Sequence, residues 1–176
     1  MTALLLVLAL ARRIREHGAP AGSQPGEQPT AFAALAGSKP GYFRAETVSG
    51  GLVSLDGLAG DHALIGFFLA GCTPCNRQLP AFVELAKTIP GGPTQVVAVV
   101  TGPPDDAAEY AARLAAVAAV VRESPRADEG TITHAFAVSS WPCYYLLNPA
   151  GTIESGAPSL SALTVFAAPA AAGKPR

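Results

Sequence analysis

Two stretches of this chain, Ala63–Leu69 (ALIGFFL) and Gln95–Thr101 (QVVAVVT), are seven residues long, rich in β-branched and aromatic side chains, and free of charge. Neither alternates between apolar and polar positions. A strand with one wet face must alternate, so both are predicted to be central strands covered on both sides. The segment between them supplies a covering layer. After Gly71, residues Leu79, Phe82, Val83, Leu85 and Ala86 recur with helical spacing, Pro80 falls inside as an expected kink, and Gly91-Gly92-Pro93 ends the run.

The flanking elements complete the pattern. Phe43–Val48 and Leu52–Leu55 read as a hairpin joined through Ser49-Gly50-Gly51, where the two glycines supply positive φ angles. Asp105 and Asp106 suit the N-terminus of a second helix running to about Ala115. A strand at Ala118–Val121 and a helical turn around Ile132–Ala137 come next, then a hairpin of Tyr144–Leu147 and Thr152–Ser155 around Asn148-Pro149-Ala150-Gly151. The order hairpin, β, α, β, α, β, short α, β, β argues for an α/β fold with a mixed central sheet and helices on both faces. Beyond it, Leu160–Ala168 has weak helical spacing, and residues 169–176 are expected to be a disordered tail.

At 176 residues there is room for one core and ragged ends, not for two. A composition that is 49% hydrophobic and 14% charged excludes a wholly disordered chain. The 12 basic and 13 acidic residues leave no electrostatic footprint for nucleic acid. Three cysteines cannot form a disulfide framework, and one thiol must stay unpaired within the chain.

Residues 1–16 hold an apolar run, Ala3–Ala11, followed by Arg12, Arg13 and Arg15. Nine residues are too few to span a bilayer, which takes roughly 20, and a secretory signal would carry its charge before the run. The run is therefore read first as the end of a membrane helix that is only partly present and second as a short amphipathic or disordered start; on the first reading the arginines would favour the cytoplasmic side for the domain beyond them. Residues 17–40, rich in Gly, Pro, Ala, Ser and Gln, suit a flexible linker, and the domain is expected over residues 41–168.

The chemistry is concentrated in Cys72-Thr73-Pro74-Cys75, between a buried strand and the first turn of a helix. There the backbone N–H groups and the helix dipole stabilise a thiolate. Cys72 is expected to be the more exposed thiol, with Cys75 one turn in, at a distance suited to a disulfide. A zinc site needs a second ligand pair, and the remaining candidates, Cys143, His17, His62 and His134, form none; no metal or other cofactor is expected. His62 and His134 read as ordinary surface or strand-edge residues. Cys143 reads first as a packed small side chain and second as an extra thiol near Cys72.

From about Gly41 to Ser155 the chain resembles the thioredoxin-fold redoxins of the TlpA/ResA/MauD type, which are membrane-tethered thiol-disulfide oxidoreductases. The residues that carry the likeness are the Thr47-Val48-Ser49-Gly50-Gly51 to Ser54-Leu55 hairpin, the strand leading into Cys72-Thr73-Pro74-Cys75, and Pro80. Val138-Ser139-Ser140-Trp141-Pro142 looks like that family's cis-proline loop, and Leu146-Leu147-Asn148-Pro149-Ala150-Gly151 like its hairpin. The leader ending in Arg-Arg-Ile-Arg-Glu-His looks like the tail of its membrane anchor.

The resemblance implies a thioredoxin-like fold and a dithiol that exchanges with protein disulfides. Cys72 would attack as thiolate and Cys75 would resolve the mixed disulfide. Thr73, Pro74, Trp141 and a cis Pro142 would face an extended substrate chain. The partners implied are protein disulfides and an upstream thiol or membrane electron donor, with disulfide reduction the expected direction. Three departures stand out: Gly71 replaces the aromatic usual before the first cysteine, Gln78 replaces an acidic residue, and Ala63–Leu69 holds no carboxylate to accept the Cys75 proton.

Two other functions use the same cysteines. A thioredoxin-fold peroxidase of the AhpC/TSA kind would need Thr three positions and Pro seven positions before its cysteine, where Cys72 has Leu69 and Ile65. A non-enzymatic metal- or copper-binding accessory protein would hold an ion without turning over disulfides.

Overall fold

The computed structural model describes residues 35–124 and 131–163. The membrane-anchor reading of residues 1–16, most of the linker, His17, and the tail lie outside the described residues. Ala63–Leu69 forms β3, and Val96–Thr101 forms β4 parallel to it. β5 (Ala119–Glu123) adds parallel to β4, while β6 (Cys143–Leu147) pairs antiparallel with β3 and β7 (Ile153–Ala157) with β6. The sheet order is β5-β4-β3-β6-β7. β3 and β4 are central as their apolar runs require, with residues 63–68 and 96–101 buried throughout.

Helix α1 (Thr73–Ala86) joins β3 to β4, and α2 (Pro104–Leu114) joins β4 to β5. Both crossovers step the same way across the sheet, so crossovers of one hand must place both helices on one face. Cys75, Leu79, Phe82 and Ala86 of α1 and Ala107, Tyr110, Ala111 and Leu114 of α2 accordingly share one core with Leu64, Phe68, Val96, Ala98 and Val100. Pro80 lies within α1, which continues through it to Ala86.

The second face is covered differently. β1 (Arg44–Glu46) and β2 (Leu52–Ser54) form a separate two-stranded hairpin, and α3 (Ile132–Ala135) is a single turn. Phe43, Val53, Leu58, Ile132 and Phe136 from this layer pack on Ile65, Phe67, Val97, Val99 and Tyr145. In the hairpin turn only Gly50 adopts positive φ, at 81°, and the Thr47 hydroxyl accepts from the Gly51 N–H at 2.9 Å.

Two boundaries differ from the sequence reading. Within the segment read as linker, the Gly37 N–H donates to the Ile153 carbonyl and the Ile153 N–H to that of Ser38, both at 2.8 Å, so the ordered chain begins before Gly41. At the other end, a 3-10 turn at Leu160–Ala162 stands where the helical stretch Leu160–Ala168 was expected to begin, and residues 164–168 lie outside the described residues. Among the described residues no helix is long and apolar enough to cross a membrane.

Candidate active site

The end of β3 delivers the dithiol. The Ala70 N–H donates to the Thr101 carbonyl at 2.8 Å, the Cys72 N–H to that of Leu69 at 3.2 Å, and Gly71 between them has φ +80°. That left-handed conformation disfavours a bulky residue at 71 on backbone grounds. Cys72 is the N-cap of α1 in extended conformation, its carbonyl accepting from the Asn76 N–H at 3.0 Å. Pro74 falls in the first turn, where the missing N–H leaves no helix bond unmade.

Both thiols are free; Cys72 is half-buried and Cys75 fully buried, while Thr73 and Pro74 are exposed beside them. Burial pushes the Cys75 thiol up from its ordinary 9.0 to about 12, the Leu69 N–H 3.5 Å from Sγ opposes this, and the neighbouring Cys72 adds to it. Cys75 is thereby held as a neutral thiol until reaction demands otherwise, while Cys72 has the exposure a nucleophile needs.

The Trp141–Pro142 peptide bond is cis. Cys143 pairs with Phe67 in the β3–β6 ladder, so this loop lies beside the end of β3 that runs into Cys72. Trp141 packs against both cores, and its indole N–H is buried without a hydrogen-bond partner. Pro142 is buried. Cys143 sits with Phe67, Phe136 and Tyr145 on the sheet face opposite the one that carries Cys75. Its thiol is pushed up to about 12 by burial first and by Cys75 second. The packing reading of Cys143 fits this placement.

Gln78 does not take the place of the missing acid at the dithiol. Its amide bridges α1 to the segment that follows β7, accepting from the Leu160 N–H at 2.9 Å and donating to the Pro158 carbonyl at 3.4 Å. His62 lies 3.7 Å from Glu154, and the His134 N–H is capped by the Thr131 hydroxyl. Among the described residues no group of three or more His, Cys, Asp or Glu is placed to hold a metal ion.

Two residues that the sequence did not single out lie in the Cys75 core: Tyr110 of α2, under the Arg113 guanidinium at 5.6 Å, and Tyr144 of β6. An open cavity of about 270 Å³ adjoins the dithiol, lined by Gly71, Asn76, Tyr110 and the charged Asp106, Glu109 and Arg113. The only sequence signal for the tyrosines is helical or strand periodicity, which marks them as core and is silent on what they face.

Residues 36–155, about two thirds of the chain, match the family described as AhpC/TSA. The chain belongs to the AhpC/TSA family. Among solved structures, this AhpC/TSA member resembles the thioredoxin domain of a thiol-disulfide oxidoreductase from Bacteroides vulgatus, at 18% identity and TM-score 0.50 over 69% of this chain and 86% of that one. It also resembles a DsbF homologue from Corynebacterium diphtheriae, at 14% identity and TM-score 0.55 over 79% and 89%. A secreted Mycobacterium tuberculosis disulfide oxidoreductase homologous to E. coli DsbE is similar at 20% identity and TM-score 0.53 over 70% and 87%. At such identities the likeness establishes the thioredoxin-like fold of this family member. No curated protein matches its sequence.

Proposed function

We propose that the protein is a dithiol-disulfide oxidoreductase of the TlpA/ResA/MauD type that reduces protein disulfides. The observation that carries this reading is the asymmetric pair at the start of α1: Cys72 half-buried at the N-cap and Cys75 buried one turn in, beside a cis Trp141–Pro142 loop. The Cys72 thiolate attacks a partner disulfide, forming a mixed disulfide and releasing the partner's other sulfur as a thiolate that takes a proton from solvent. Cys75 then loses its proton and attacks Cys72 Sγ, closing the Cys72–Cys75 disulfide and releasing the second partner thiolate. An upstream thiol or membrane electron donor restores the dithiol.

Trp141 and Pro142 on one side, with Thr73 and Pro74 on the other, line the groove for the extended partner chain. Attachment to a membrane through the N-terminal segment belongs to the same proposal. The test is reduction of a protein disulfide by wild type and by Cys72→Ser, monitored under a thiol donor. Loss of turnover in the variant is expected, and equal rates sink the proposal.

Membership in the AhpC/TSA family supports a second reading, peroxide reduction by Cys72. Leu69 and Ile65, three and seven positions earlier, lie in β3 and offer no hydroxyl to orient a peroxide. Peroxide consumption faster than disulfide reduction, with the same thiol donor, selects this second reading.

A further inference from the structure

The exchange of sulfur bonds leaves one neighbouring feature without a role: the open cavity of about 270 Å³ that begins at Gly71 and Asn76. These residues flank Cys72, Gly71 preceding it and Asn76 donating its N–H to the Cys72 carbonyl at 3.0 Å. Gly71 has no side chain to cover this margin, and nothing stands within 4 Å of where a Cβ would project. The other wall is a stripe of α2. Asp106, Glu109 and Arg113 recur at spacings of three and four, which brings them to one helix face together with Tyr110.

All three charged residues are exposed. Glu109 and Arg113 stand one turn apart in the order that favours an ion pair, yet among the described residues neither they nor Asp106 form one. The Arg113 guanidinium lies instead over the Tyr110 ring, 5.6 Å from its centroid. A lining that carries both signs unpaired beside a reactive sulfur discriminates between ligands. An anion is repelled by two carboxylates, and a lone cation is opposed by the guanidinium. A head with an ammonium and a carboxylate on one carbon meets both, since side chains one helical turn apart are about 5–6 Å from each other at Cβ and converge on a small group. The planar guanidinium suits the carboxylate in particular, because it offers two parallel N–H bonds.

We infer that this cavity seats the α-amino acid head of a low-molecular-weight thiol that reduces the Cys72–Cys75 disulfide, Asp106 and Glu109 taking its ammonium and Arg113 its carboxylate. The inference rests on the dithiol-exchange reading and deepens it by giving the chemical class of the upstream thiol. The ligand thiolate attacks Cys72 Sγ, the accessible sulfur of the pair. A bond forms between the ligand sulfur and Cys72 Sγ, and the Cys72–Cys75 bond breaks with its electron pair on Cys75, which takes a proton from solvent. A second ligand thiolate attacks the sulfur of the first, the ligand disulfide leaves, and Cys72 is released as thiolate. Two thiols are oxidised to one disulfide, and the protein gains the two electrons.

The test uses the oxidised full-length protein and follows opening of its disulfide by quenched-flow alkylation and mass spectrometry. The reductants are cysteine, glutathione, cysteamine, 3-mercaptopropionate and 2-mercaptoethanol. Each rate is divided by the same thiol's rate with hydroxyethyl disulfide, a neutral disulfide, which cancels differences in thiol reactivity. Cysteine and glutathione carry the α-amino acid head at different distances from the sulfur, so the faster of them identifies the source of the head. Cysteamine lacks the carboxylate, mercaptopropionate the ammonium, and 2-mercaptoethanol both. The expected result is an advantage of about fivefold for cysteine or glutathione over 2-mercaptoethanol. Arg113→Gln is expected to abolish the advantage of that thiol over cysteamine, and Asp106→Asn with Glu109→Gln its advantage over mercaptopropionate. Equal relative rates for all five thiols overturn the inference, as does a loss in the variants that is the same for every thiol, the mark of a structural defect. Cysteamine faster than cysteine and glutathione, and faster still in Arg113→Gln, also overturns it and marks the cavity as a seat for a lone cation such as a lysine of a protein partner. Wild type that forms no Cys72–Cys75 disulfide on oxidation overturns the exchange reading itself, an outcome visible before any thiol is compared.

Discussion

Gly71 shows how one backbone angle shapes the entrance to the dithiol. Nothing lies within 4 Å of where its Cβ would stand, yet its φ is +80°. Gly71→Ala is therefore expected to cost about 1 kcal/mol from conformation alone, with no clash to relieve, as measured by urea unfolding. Gly66 is the opposite case, with ordinary φ but no space: Gly66→Ala drives a methyl into the Phe82 and Phe68 rings, and overpacking of this kind costs about 1–3 kcal/mol. The buried thiols set a pH dependence. Cys75 and Cys143 are raised from 9.0 to about 12 in the folded protein, so their unfolded forms ionise first. Stability of the reduced protein is expected to be intact below pH 9.0 and to fall as pH rises from there toward about 12. Urea midpoints across that range check this, and oxidation of Cys72 and Cys75 is expected to lessen the fall by removing the Cys75 titration.

At the scale of elements, polar side chains hold a helix end and the segment after β7 in place where apolar periodicity is mute. Glu123, at the end of β5, accepts from the Ile132 N–H at 2.7 Å and the Thr133 N–H at 3.0 Å, capping the first turn of α3. Glu123→Ala leaves two backbone donors without their charged acceptor and is expected to cost about 1.5–3 kcal/mol in denaturant unfolding. Gln78 does comparable service between α1 and the segment after β7. Gln78→Ala is expected to speed hydrogen exchange at the Leu160 amide and to cost about 1 kcal/mol. Neither role is legible in the sequence. There Glu123 is one more charge at the edge of a polar loop and Gln78 a missing acid, because each partner lies in a separate element, brought near only by the fold.

For the molecule as a whole, the asymmetry between the two faces of the sheet is the organising fact. α1 and α2 share one face because β3, β4 and β5 are laid down in a single direction; the hairpin and α3 cover the other. The strap at residues 37–38 belongs to this packing, and a chain begun at Gly41 is expected to be less stable than one begun at Leu35 by about 1–3 kcal/mol, since it loses two backbone hydrogen bonds to Ile153. Denaturant midpoints of the two chains check this. The amino-acid sequence by itself determined the two central strands, the helix between them and the position of Cys72 and Cys75 at its start. Those features are written in local apolar runs, helical spacing and adjacency along the chain. Only the tertiary structure decided that Tyr110 and Tyr144 share a core with Cys75, that Cys143 lies across the sheet from it, and that residues 37–38 pair with Ile153. These depend on strand register and on which face each side chain meets, and a shift of one residue in register would exchange the faces without altering a single local signal.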